Sequence, residues 1–320
     1  MMVLLIDADS VIPNIPLMKI SQWHKGNGDR VLLHRCNLPY YPNRKKVHYH
    51  VPLGFDKVYC SVVFEGNKEF IHGDNIVFGG TGVDLTTTLT PEIESCDLDY
   101  SLYPDNDTSY GFITRGCIRK CSFCKVPAKE GYIHKVSDID KIVKHKKVKF
   151  LDNNILAYSE HKSILRELVD KKIKCQFNQG LDIRLLDSEN SKLLSQLNYL
   201  HEYIFAFDAW KYKEIIENKL KLLSWTKDWQ LKFFVYVHPE MPIEETVKRI
   251  IYLQEHKCLP YVMRDIKCWD SVNNEFYIDI CAYTNQVHLF KKMEFRDFLI
   301  KRHTSTKRID QSLRIWNENL

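Results

Sequence analysis

From residue 111 onward the chain carries short apolar runs at a near-constant interval, and that rhythm limits the folds open to it. The runs are GFIT at 111–114, VKFL at 148–151, KCQF at 174–177, YIFAF at 203–207, KFFVYV at 232–237 and PYVM at 260–263. After the first, they recur about every 26–29 residues, enough for a strand, a helix and two connections. Helix-start signals fill the gaps. Ser137 precedes Asp138 and Asp140, Asp187 and Ser188 precede a second helical pattern, and Pro242 opens one containing Glu244, Glu245 and Val247. Six such units predict an α/β fold built on a partial (β/α)6 TIM-like barrel over 109–284. Its ligands would gather at the carboxyl ends of the strands.

The preceding residues read as a smaller Rossmann-like domain with its linker, 1–108. Residues 3–6 are a strand ending at Asp7, 16–25 a helix stopped by Gly26 and Gly28, and 31–34 a second strand. Apolar runs at 58–64 and 76–78 follow, the latter running into a glycine-rich loop at 79–82 that is a weak candidate phosphate cradle. The Pro-containing, acidic segment 86–110 reads as a linker with one short helix. A basic, helical tail occupies 285–320.

Composition narrows the class. Of 320 residues, 44% are hydrophobic and 27% charged, with only 12 Gly and 11 Pro, which excludes a disordered or collagen-like chain. No apolar run of about 18 residues suggests a membrane helix. The segment MMVLLIDADS lacks a basic start and meets Asp7 and Asp9 at once, so it reads as a buried strand and the expected compartment is the cytoplasm. The net charge of +5 is mild, and Lys144, Lys146, Lys147 and Lys149 read as a solvated basic face. Ten cysteines are too few and too scattered for a disulfide scaffold, and in a reducing compartment clustered thiols bind metal or do chemistry.

Three of the ten do cluster. Cys117, Cys121 and Cys124 have the spacing C-x3-C-x2-C, with Phe123 before the last, directly after the first apolar run. This closely resembles the signature of the radical S-adenosylmethionine superfamily. A four-iron cubane takes four external ligands. Three thiolates leave one iron for the amino and carboxylate groups of S-adenosylmethionine. The resemblance implies a [4Fe-4S] cluster that reductively cleaves this cofactor to a 5′-deoxyadenosyl radical, with electrons from a flavodoxin- or ferredoxin-like donor. Gly116 lets backbone approach closely at the start of the loop, while Arg115, Arg119 and Lys120 are expected to offset cluster charge.

The resemblance extends over about 110–285 and implies further cofactor-binding positions. Asp152, Asn153 and Asn154 stand at the second strand end, where the family often has Gly-Gly-Glu, and can accept hydrogen bonds from the methionine ammonium. Gln179, Asp182 and Arg184 follow the third strand and suit ribose hydroxyls and a carboxylate; the alternative is that Asp182 and Arg184 pair with each other on the rim. Phe123 is placed near the adenine. Asp208 follows the fourth strand, His238 the fifth, and Arg264 with Asp265 the sixth.

The leading α/β domain resembles the cobalamin-binding type, although no Asp-x-His-x-x-Gly is present. The run from Gly116 to Gly131 also resembles tRNA methylthiotransferases, whose second cluster uses three N-terminal cysteines. Cys36, Cys60 and Cys96 are three in number, but no cysteine ends the first strand. Cobalamin-dependent methyl transfer and methylthiolation of tRNA are thus the alternatives within the superfamily. The alternative of another class is a zinc-stabilised nucleic-acid-binding protein, although no second Cys-x-x-Cys knuckle exists. His48, Tyr49 and His50 read as surface or substrate-facing groups. Cys258, Cys268 and Cys281 read as buried thiols, the last in a strand-like setting, YIDICAY. Nothing in the sequence names the substrate.

Overall fold

The structure, a computed structural model, describes residues 1–40 and 44–320. The chain forms two compact units, Met1–Tyr132 with Val136–Lys147, and Ile133–Lys135 with Val148–Leu320. Both are α/β with parallel strands. Among the described residues, no helix is long and apolar enough to cross a membrane.

In the first unit, four parallel strands lie in the order Arg30–Arg35, Met2–Asp7, Lys57–Ser61, Ile76–Gly79. Met2–Asp7 is central and buried on both faces, which is why it reads as one uninterrupted apolar run. One face packs Val3 and Leu5 against Leu17 and Ile20 of the helix Ile15–Gly26, with Ile93. The other packs Leu4 and Ile6 against Val58, Cys60, Val62 and Ile71. Asn14 caps that helix by accepting the Leu17 amide at 3.2 Å. The segment read as a linker is tied to the same helix: buried Asp99 accepts from Ser21 Oγ and Lys25 Nζ, both at 2.6 Å.

The glycine loop after Ile76–Gly79 serves packing. At Gly80, with φ +103°, a Cβ would lie 2.3 Å from the Val62 carbonyl oxygen, and one at Gly82 would lie 2.6 Å from the Phe64 carbonyl. The Gly82 amide donates to the Val62 carbonyl at 3.0 Å. These glycines admit a second backbone, and this amide is already used.

In the second unit, the three-stranded parallel sheet Tyr203–Ala206, Leu231–Val237, Leu259–Arg264 stands separate from a sheet that includes Lys147–Phe150, Lys174–Phe177 and Asn198–Tyr199. Helix starts fall where the sequence puts them for Ser188–Gln196, where Asp187 and Asn190 form a reciprocal capping box, and for Ile243–Glu255 after Pro242. Two expectations fail. The helix expected from Ser137 begins at Ile139 and ends at Ile142, because no side chain caps it and Val143 is already extended. The segment around Cys281 is a helix, Asn274–Asn285. Its alternation imitates a strand, but Phe276, Tyr277, Ile280, Tyr283 and Thr284 recur at helical spacing and, with Asp279, are the buried set. The basic tail is helical, as expected, over Val287–Phe290, Phe295–Arg302 and Thr306–Glu318.

Candidate functional site

The cysteine loop belongs to the first unit. It leaves the short strand Thr114–Arg115 through Gly116, whose φ of +85° is a left-handed conformation that glycine alone adopts cheaply. A Cβ there would lie 2.4 Å from the Tyr132 carbonyl oxygen and 2.8 Å from that of Gly131. The next amide, Cys117 N, donates to the Gly131 carbonyl at 3.2 Å. Gly116 thus closes the two ends of the loop on each other. Inside it, the Arg119 amide donates to Cys117 Sγ at 3.3 Å, and the Cys124 amide to the Cys121 carbonyl at 3.0 Å.

All three thiols are half-buried, and Phe123 is 41% exposed. Arg115 does not face the thiols as a free counter-charge. It lies over the Phe112 ring at 4.6 Å and pairs with Glu94 at 3.7 Å and Glu130 at 3.6 Å, so it buttresses the loop. Lys125 pairs with Glu65. Among the described residues, no three His, Cys, Asp or Glu side chains gather where one metal ion could be held. A cubane takes each thiolate on a different iron, so its ligands need not converge on one point as those of zinc must.

The other candidates lie in the second unit. Asp152 and Asn154 are almost fully buried, Asn153 half-buried, and Gln179 exposed. Asn154 Nδ2 stands 3.5 Å from Asp182 Oδ2, joining two strand ends. Asp182 and Arg184 form a fork, with Nε donating to Oδ1 at 2.7 Å and Nη2 to Oδ2 at 3.1 Å. Arg184 also lies 4.8 Å over the Tyr212 ring, an aromatic partner with no motif to announce it. Asp208 completes this edge. Burial pushes its carboxyl above the usual range, against the opposing charges of Arg249 and Arg184.

Arg249 was not legible as special in the sequence. It is fully buried, with Nη1 donating to the carbonyls of Phe207 at 2.8 Å and Tyr236 at 3.1 Å, Nε to Glu245 O, and Nη2 to Thr246 Oγ1. It clamps two neighbouring strand ends, and burial lowers its own ionisation to about 10. Beyond it, the Tyr236 hydroxyl donates to Asp265 Oδ2 at 2.7 Å, and His238 Nε2 stands 3.9 Å from Asp265 Oδ1. Arg264 lies 3.9 Å over the Trp269 ring.

The remaining cysteines are scattered, whereas three histidines of the first unit stand together. Cys60 is buried and Cys36 half-buried in the first unit, the latter pushed up to about 11 by burial and by Asp7 and Asp9. Cys96 donates to the Glu92 carbonyl at 3.3 Å. Cys258 and Cys268 are buried and Cys281 half-buried. His48 Nδ1 hydrogen-bonds His72 Nε2 at 2.6 Å, and His50 stacks on His72 at 4.8 Å. No protein-family model matches the chain, and no curated protein matches it significantly.

Proposed function

We propose that the chain is a radical S-adenosylmethionine enzyme, with a partial (β/α)6 barrel over 109–284 behind a Rossmann-like domain. One observation carries this reading: three thiols at C-x3-C-x2-C spacing in a loop that Gly116 closes and the Arg119 amide lines. The donor set fits a cubane with one open iron. Cys117, Cys121 and Cys124 would hold it.

When bound, the cluster and S-adenosylmethionine together supply one-electron cleavage of a carbon–sulfur bond and a primary carbon radical. The chain's own groups bind and orient. Asp152 and Asn154 offer acceptors for an ammonium at one strand end. The Asp182 fork fixes Arg184, a guanidinium whose geometry suits a carboxylate or hydroxyls. Asp208 borders the same edge, and Phe123 is accessible enough to cover a ring. Nothing among these groups selects the reaction that follows, and cobalamin and a second cluster stay outside the proposal.

The test is iron, sulfide and absorbance analysis after anaerobic purification, followed by an assay for 5′-deoxyadenosine. About four irons per chain with cofactor cleavage are expected. Cys121→Ala should abolish both. Stoichiometric zinc without iron would sink the reading in favour of a zinc-stabilised binding protein.

A further inference from the structure

One face of the four-stranded sheet in the first unit is covered by segment 36–83, which among the described residues holds no α-helix. There Leu4, Ile6, Val58 and Cys60 pack against Ile71, with Tyr49, Val51 and Phe70 partly buried against them. Much of that cover comes from two parallel strands, Tyr49–His50 and Ile71–His72, each only two residues long. The Val51 amide extends the pair by donating to the His72 carbonyl at 2.8 Å. So short a ladder opens easily, which makes this layer a weak point over a well-buried sheet.

Alternation along these strands decides what their outer side carries. Tyr49 and Val51 turn inward, so His48 and His50 turn outward, and His72 stands opposite His50 in the register. His48 and His50 are exposed and His72 is half-buried. His48 Nδ1 and His72 Nε2 approach to 2.6 Å, with ring centroids 4.9 Å apart and planes 23° from parallel, so the two rings meet edge to edge. Phe70 flanks His48 at 4.8 Å, and His50 flanks His72 at 4.8 Å. A neutral pair in this arrangement holds one N–H between two ring nitrogens.

Two nitrogens brought together from neighbouring strands are also a chelate for a cation that prefers imidazole. At about 2.0–2.1 Å from zinc, a bent chelate spreads its nitrogens to about 3.0–3.4 Å, so the rings need part by less than about 1 Å. Among the described residues no third ligating side chain converges with them, and the exposure of His48 lets water complete the shell.

We infer that His48 and His72 bind a divalent first-row ion of the zinc, nickel or copper kind, which clamps Tyr49–His50 to Ile71–His72 over the sheet. The ion takes the place of the shared proton. Each ring presents a bare nitrogen, and the displaced proton moves to the far nitrogen of its ring or leaves to solvent. The site shares no residue with the cysteine loop and stands whether or not that loop carries a cluster.

Zinc(II) and nickel(II) ions are titrated separately into the full chain, and hydrogen exchange is read over 47–52 and 70–73. At least one ion should slow exchange there saturably, the Val51 amide most of all. Removing one arm of a chelate costs most of its affinity, so His48→Gln and His72→Gln should each need about tenfold or more ion for the same protection. Ion held by the cysteine loop does not protect these segments, so Cys121→Ala should respond like the parent. Parental exchange over 2–7 without added ion shows that each variant is folded. The inference is overturned if neither ion slows exchange over the two segments, if either histidine variant responds at the parent's ion concentration, or if Cys121→Ala loses the response.

Discussion

Replacing Asp279 with alanine should unlatch the last helix of the chain. Asp279 is fully buried on Asn274–Asn285 and accepts from Arg308 Nε at 2.9 Å, His303 Nε2 at 2.9 Å and Ser312 Oγ at 2.8 Å. These donors come from Thr306–Glu318 and the turn before it, so one carboxylate gathers what the chain brings together from 24 to 33 residues away. Removing one partner of a buried ion pair costs about 3–5 kcal/mol. Arg308 keeps Glu275 at 2.6 Å, so the lower end applies, about 3 kcal/mol. A unit of this size loses about 2–4 °C per kcal/mol, which gives about 6–12 °C.

The pH dependence has a definite sign. Burial pushes the Asp279 carboxyl up, but Arg308, His303 and Ser312 outweigh it and hold it below its ordinary value. Its contribution is therefore complete above the ordinary carboxylate range and is lost as pH falls through the depressed folded value. Hydrogen exchange across 306–318, with calorimetric Tm from pH 3 to 7, reads both effects. Asp279→Asn should flatten the acid limb. An Asp279→Ala protein with parental exchange protection and a Tm within about 1 °C of the parent would refute the latch.

Other substitutions test the candidate sites. Gly116→Ala forces a Cβ against the Tyr132 carbonyl at positive φ, so it should cost about 1–3 kcal/mol in urea unfolding and lower iron retention. Normal stability and iron content would show that the loop ends can part freely. Arg249→Met strips the donors from the Phe207 and Tyr236 carbonyls, at about 1–3 kcal/mol each. It also removes a charge that opposes burial at Asp208, so carbon-13 NMR should find that carboxyl titrating at higher pH still. Asp152→Ala should weaken S-adenosylmethionine binding by about tenfold or more, read by calorimetry, with iron content intact. Unchanged affinity would make that strand end purely structural.

What could be read from the sequence is what neighbouring residues decide. Strand spacing, the helix start at Asp187, the helix after Pro242 and the thiol spacing depend on a few successive side chains and their own backbone. The strained loop start at Gly116 was legible for the same reason. Tertiary structure decided everything that turns on distant partners. YIDICAY alternates like a strand, yet its segment is helical because Phe276, Tyr277, Ile280 and Tyr283 have a core to enter. The glycines at 80 and 82 resemble a phosphate loop but answer to the backbone at 62–64. Arg115 resembles a counter-charge but is held by Glu94 and Glu130. KFFVYV reads as one apolar run, which does not say which of its two faces enters the core. That depends on which face the helices cover, and burial is a property of the assembled layers.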